Sequence, residues 1–154
     1  MSDPRADRPS PLTLHRYALG DQLIRLRADT PIRVHGRDSL TLVRGPVFTL
    51  ILMALNAGSR LSEHKAPGPI TVLVLDGRVA FSAQGERLEL GPHDLITLPA
   101  HILHEVDALE DCAILVSIAA PVTRTDPKGL ESEHRQGDYR PVPSPPVEEH
   151  QEGG

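Results

Sequence analysis

The chain has 154 residues, a formal charge of −5, 39% hydrophobic and 24% charged residues, 15 prolines, two tyrosines, two phenylalanines and no tryptophan. That length holds one domain with a core plus tails, and an acidic balance without a long Lys/Arg run excludes the electrostatic footprint of a nucleic-acid binder. The first ten residues lack the apolar core of a secretory signal and the longest apolar run, residues 47–55, is too short to span a bilayer, so a soluble protein with no membrane partner is expected.

Residues 1–12 mix Pro, Asp, Arg and Ser with almost nothing to bury, and are expected to be disordered. Residues 13–37 read as an arm with one short helix over 21–28. Leu19, Leu23 and Leu26 fall at i, i+4 and i+7, Asp21 is placed to cap the start, and Pro31 is placed to stop the helix. Arg25, Arg27, Arg33 and Arg37 read as a solvated face.

From Gly36 onward the period becomes that of strands. Apolar runs at 40–43, 47–55, 70–75, 79–83, 88–90, 95–98, 104–108 and 113–119 are separated by Gly45-Pro46, Asn56-Ala57-Gly58, Asp76-Gly77 and Gln84-Gly85. Many short strands so punctuated, with no room for crossover helices, predict an all-β sandwich or barrel over residues 38–120. Arg87-Leu88-Glu89-Leu90 alternates and predicts one wet face, whereas the runs at 47–55, 70–75 and 113–118 are apolar at nearly every position. Such strands need cover on both faces. One face is the barrel interior, and the other calls for the helix, a second sheet or another subunit, so a homodimer is expected. Cys112 is single, forms no internal disulfide, suits a reducing, cytoplasmic compartment and reads as a small core residue. The remainder, 121–154, loses all apolar period and reads as a Pro-rich disordered tail, with Pro143 and Pro146 in a PxxP spacing.

Two stretches carry the chemistry. The first runs Gly58, five residues, His64, one, Ala66, three, Ile70, six, Gly77; the second runs His93, five, Pro99, one, His101, two, His104, three, Ala108. In these intervals and in this strand order the chain resembles the cupin superfamily, whose members fold as double-stranded β-helix (jelly-roll) barrels. The resemblance implies that barrel with a short N-terminal helix. In metal-binding cupins three histidines and a glutamate hold the ion. Here His64 and His104 stand at the first and third histidine positions, Ala66 and Ile70 replace the second histidine and the glutamate, and His93 and His101 replace two glycines.

Strand alternation predicts that Ser62 and Ala66 share the face of His64, while Glu63 and Lys65 point away, and that Glu105 and Asp107 point away from His104. The expected ligand-binding residues are therefore His64, His104 and Ser62. For a metal, His101 in the loop beside His104 is the candidate third donor to His64 and His104. Two imidazoles alone would hold a divalent transition metal weakly. The reading is a small-molecule-binding cupin with an incomplete metal site. Its alternative is a metal-dependent cupin enzyme, an oxygenase or isomerase, using His64, His104 and a third ligand.

Overall fold

The structure, a computed structural model, describes residues 13–121. The predicted N-terminal segment 1–12, the tail beyond residue 121 and its PxxP spacing lie outside the described residues. Two helices, α1 (Leu19–Ala28) and α2 (Thr30–His35), precede nine strands: β1 (Arg37–Arg44), β2 (Phe48–Leu55), β3 (Arg60–His64), β4 (Ile70–Asp76), β5 (Val79–Ala83), β6 (Glu86–Leu90), β7 (Leu95–Leu98), β8 (His104–Ala108) and β9 (Cys112–Ala119). The strands pair antiparallel in a five-stranded sheet, ordered β1-β2-β9-β4-β7, and a four-stranded sheet, ordered β3-β8-β5-β6.

The expected helix is present, starting at Leu19 and ending at Ala28 ahead of Pro31, but Pro31 also belongs to a second helix that the sequence reading did not expect. It lies in the first turn of α2. There its ring pre-sets the helical φ and its missing N–H is one that a helix start leaves unpaired anyway. Asp21 sits in the first turn of α1, favourable to the helix dipole, and not at the cap position, which is Ala18. Gly36 closes α2 with φ 72°, its N–H reaching Ile32 O at 3.0 Å.

The doubly apolar strands separate two cores. Along β2, Leu55 and Met53 face the interior between the sheets, while Leu52 and Ala54 face the helices. Along β9, Cys112, Ile114, Val116 and Ile118 face the interior, while Ala113 and Leu115 face the helices. The interior is completed by Ile70, Val72 and Val74 of β4, Phe81 of β5, Leu98 of β7 and Val106 of β8. The outer face of the five-stranded sheet is covered by Leu23 and Leu26 of α1 and Ile32 of α2. A bidentate pair from Arg27 to Asp76, at 2.6 and 3.0 Å, ties α1 to the end of β4. The cover that these strands require thus comes from the chain's own N-terminal arm. Toward the start of β2 it runs out. Phe48, Pro69, Thr71, Thr97, Pro99 and Ser117 are among the residues lining an open groove of about 470 Å³.

The four-stranded sheet differs. Its outer face carries charge, with Arg60 paired to Glu105 and Asp107 at 3.0 and 2.9 Å and Arg87 to Asp107 at 2.8 Å. Glu105 and Asp107 therefore point away from the interior, as alternation predicts. In β6 the predicted alternation buries only Leu90. Leu88 is 46% exposed, because β6 is an edge strand with no neighbour on one side.

Candidate functional site

Strand β3, read from the sequence only through the alternation about His64, carries a weak strand signal, since Arg60-Leu61-Ser62-Glu63-His64 holds a single aliphatic residue. It forms because β8 supplies its ladder. Leu61 is opposite Val106 and His64 is opposite His104, so three steps along β3 match two along β8. That is a β-bulge, with one extra residue on the edge strand. Its consequence overturns the expectation for Ser62. Leu61 shares the inward side with His64 and packs on the interior core, whereas Ser62 and Glu63 both stand opposite outward-facing Glu105 and are exposed. Simple alternation fails for Ser62 because the bulge inserts a residue between the two inward positions.

The register brings the two predicted histidines together as a cross-strand pair. Their ring centroids are 4.3 Å apart with planes tilted by 59°. Phe81 lies nearly parallel to His104, at 5.5 Å and 14°. His64 is exposed at the open end of β3, while His104 is only 4% exposed and is the single polar residue buried in the described core. Each ring is held by the carbonyl two residues before it. His64 Nδ1–H donates to Ser62 O at 2.7 Å, and His104 Nδ1–H donates to Ile102 O at 2.9 Å. A carbonyl can only accept, so the proton of each neutral ring is fixed on Nδ1 and Nε2 keeps its lone pair. Among the described residues no buried side-chain nitrogen or oxygen lacks a partner, so His104 Nε2, which has no protein partner there, remains reachable. Burial lowers the His104 pKa below the usual histidine value, opposed by the Ile102 carbonyl and helped by the neighbouring charge of His64.

His101 and His93 occupy glycine-like backbone, with φ 65° and 72°. Both are exposed. The His101 N–H reaches Ala66 O at 2.9 Å, stitching the two motif loops together at the end of the barrel. Its ring is not drawn into the pair, and among the described residues no group of three or more His, Cys, Asp or Glu side chains is placed to hold an ion. The three-histidine arrangement of His64, His104 and His101 is therefore not formed. The reason is local: the turn needs a left-handed residue at 101, and this conformation exposes its side chain.

The metal that the resemblance implies does not fit the donors present. Ala66 packs against the interior core, and Ile70 is 4% exposed within it. Where a second imidazole and a carboxylate would stand, the barrel is filled with hydrocarbon. The residues that sequence reasoning missed are Leu61, misplaced by the bulge, and Phe81, whose inward position in the run 79–83 was the available signal. Cys112 is fully buried, and burial, then the Asp76 charge, push its thiol up to about 11, so it is a core residue without nucleophilic character.

No family's sequence profile matches the chain, and no curated protein matches it. Solved structures do. A cupin superfamily protein from Desulfitobacterium hafniense is 19% identical, covers 75% of this chain and 93% of its own, and superposes with a TM-score of 0.55. A cupin 2 conserved barrel domain protein from Leptotrichia buccalis is 31% identical over 54% of this chain and 40% of its own, with a TM-score of 0.52. Salicylate 1,2-dioxygenase from Pseudoaminobacter salicylatoxidans, in adducts with gentisate, is 16% identical over 68% of this chain and 32% of its own, with a TM-score of 0.59. The chain spans less than half the length of these last two.

Proposed function

This chain is a cupin-fold protein, and from that premise we propose that it binds a small molecule at the barrel end where His64 and His104 meet, without a resident metal. The observation that carries the reading is the pair itself: two imidazoles in cross-strand register, each locked by a backbone carbonyl, each with Nε2 left for a ligand. At His104 only Nδ1 is engaged within the protein, so Nε2 is open to a ligand.

One observation favours a second reading. A histidine that holds a metal through Nε2 commonly donates Nδ1–H to a carbonyl, as both rings do here. A metal-dependent oxygenase or isomerase would then need its missing donors from the substrate. Elemental analysis of untagged protein, with the His64→Ala, His104→Ala double variant beside it, decides between them. The proposed function expects sub-stoichiometric metal in both and a set of small polar molecules that raise the native Tm but not the variant's. Stoichiometric metal in the native chain and none in the variant replaces it with the enzyme.

The groove beside Phe48 supports the homodimer expected from the sequence, since it is the stretch of doubly apolar sheet that the N-terminal arm leaves open. Light scattering of the full chain tests that assembly.

A further inference from the structure

The chemistry of the paired rings restricts what the site accepts, if it is the ligand site argued above. With both protons fixed on Nδ1, the pair presents two acceptors and no donor. An anion brought to them meets two lone pairs. Among the described residues no cationic side chain is hydrogen-bonded to either ring, each of which is held by a carbonyl. A cationic ligand fares no better, because no carboxylate is bonded to either ring and Glu105 and Asp107 are engaged with Arg60 and Arg87 on the opposite face. Around the pair the inward neighbours are apolar. Leu61 and Val106 lie one pairing step along the ladder, Phe81 stacks on His104, and Ala66 and Ile102 pack on the core. Burying a net charge among them is strongly unfavourable, whereas a hydroxyl that finds an acceptor is not.

We propose that this end of the barrel selects an uncharged ligand bearing two neighbouring hydroxyl groups, one donated to Nε2 of His64 and one to Nε2 of His104, with its carbon skeleton against Leu61 and Phe81. The class is that of neutral vicinal diols, and carboxylates and phosphates are excluded from it. The exposed ring of His64 forms the outer jaw and the buried ring of His104 the inner one.

The experiment uses the full chain labelled with ¹⁵N on histidine, at pH 8 and with chelator present, well above the ordinary histidine pKa of about 6.5. It is titrated separately with cis-1,2-cyclohexanediol and with cyclohexanecarboxylate, which share one carbon ring and differ in charge and donor count. The proposal expects the diol to move both Nε2 resonances, the carboxylate to move neither, and His64→Ala, an exposed position that leaves the core intact, to weaken the diol about tenfold, the loss of one good hydrogen bond. Carboxylate binding as tight as the diol's overturns the ligand class while leaving the site. A diol affinity unchanged in His64→Ala places binding elsewhere and overturns the proposal. If neither molecule moves either ring, the class is refuted, and the wider Tm screen then decides whether the site binds anything at all.

Discussion

Installing at 66 and 70 the two donors that the family resemblance implies tests whether the site differs from a metal centre only by the residues there. The perturbation is Ala66→His with Ile70→Glu. Ile70 is 4% exposed and belongs to the interior core, so losing its apolar burial costs about 1.5–3 kcal/mol. Placing a carboxylate there adds a desolvation cost of several kcal/mol, reduced when the group takes up a proton. Together these come to roughly 5 kcal/mol, comparable to the whole stability of a small domain, about 5–15 kcal/mol. The metal-free double variant should therefore be strongly destabilised. A metal bound only by the folded state returns about 4 kcal/mol at a concentration 1,000 times its Kd. For a domain near this size each kcal/mol moves Tm by roughly 4–8 °C.

The assay is a melt of native chain and double variant, each in chelator and each with excess Mn²⁺, Ni²⁺ or Zn²⁺. The expected result is a variant Tm raised by at least about 10 °C on adding metal, with the native Tm unmoved. A variant that folds but ignores metal would show that the backbone at 66 and 70 no longer aims side chains at the histidine pair. A native chain that gains as much as the variant would show that His64 and His104 suffice, and would refute the reasoning about fit.

Four other outcomes follow from particular residues. His93→Gly and His101→Gly remove side chains from left-handed backbone, φ 72° and 65°, so each should stabilise by about 0.5–1 kcal/mol in denaturant unfolding, the strain relieved exceeding the added chain entropy. The His104 pKa is lowered by burial; the unfolded chain therefore binds the proton more readily, and His104's contribution to stability is complete above about pH 6.5 and is lost as pH falls toward the folded pKa, at no more than about 1.4 kcal/mol per pH unit. NMR titration should find its midpoint below 6.5 in the native chain and higher in His64→Ala, and a native midpoint above 6.5 contradicts the account. Leu26→Ala, in the core under α1, should cost about 2–5 kcal/mol, while Arg27→Ala, which breaks a pair whose side chains are 39% and 44% exposed, should cost less than about 1 kcal/mol, both read by urea midpoints. Phe48→Arg at the open groove should turn the proposed dimer into a monomer in light scattering without lowering Tm by more than a few degrees, and a native chain that is already monomeric refutes the assembly.

The regular parts of the fold were legible because their physics is local. Gln84-Gly85, with φ 53° and 80°, makes the two-residue turn that joins β5 to β6, and the apolar runs of β2, β4 and β9 required two covered faces that the structure supplies. What escaped the sequence depends on tertiary context. Strand β3 exists only because β8 pairs with it, and its bulge is invisible to a rule of strict alternation, which is why Ser62 was placed inward. Pro31 is equally consistent with ending one helix or starting the next, and only the chain's path decided. At the site, the histidines at 64 and 104 could be paired from motif spacing, but the lock on each ring comes from carbonyls that no side-chain pattern encodes.

That difference bears on why the two histidines are present at all. The positions 66 and 70, where the family resemblance implies metal donors, face a core of hydrocarbon, Ala66 partly and Ile70 fully buried, and packing alone accounts for them. Packing does not account for His104. At 4% exposure a leucine of similar volume would serve the core without the desolvation cost of an imidazole. Its Nδ1–H is satisfied by Ile102, while its Nε2 meets no described residue and is open to water or to the proposed ligand. The bulge in β3 acts in the same direction. It sets the Ser62 carbonyl where the His64 ring can donate to it, and brings that ring to 4.3 Å from its partner at the exposed end of an edge strand. Two rings, each oriented by the carbonyl two residues before it and with matching tautomers, form one element of the proposed ligand site.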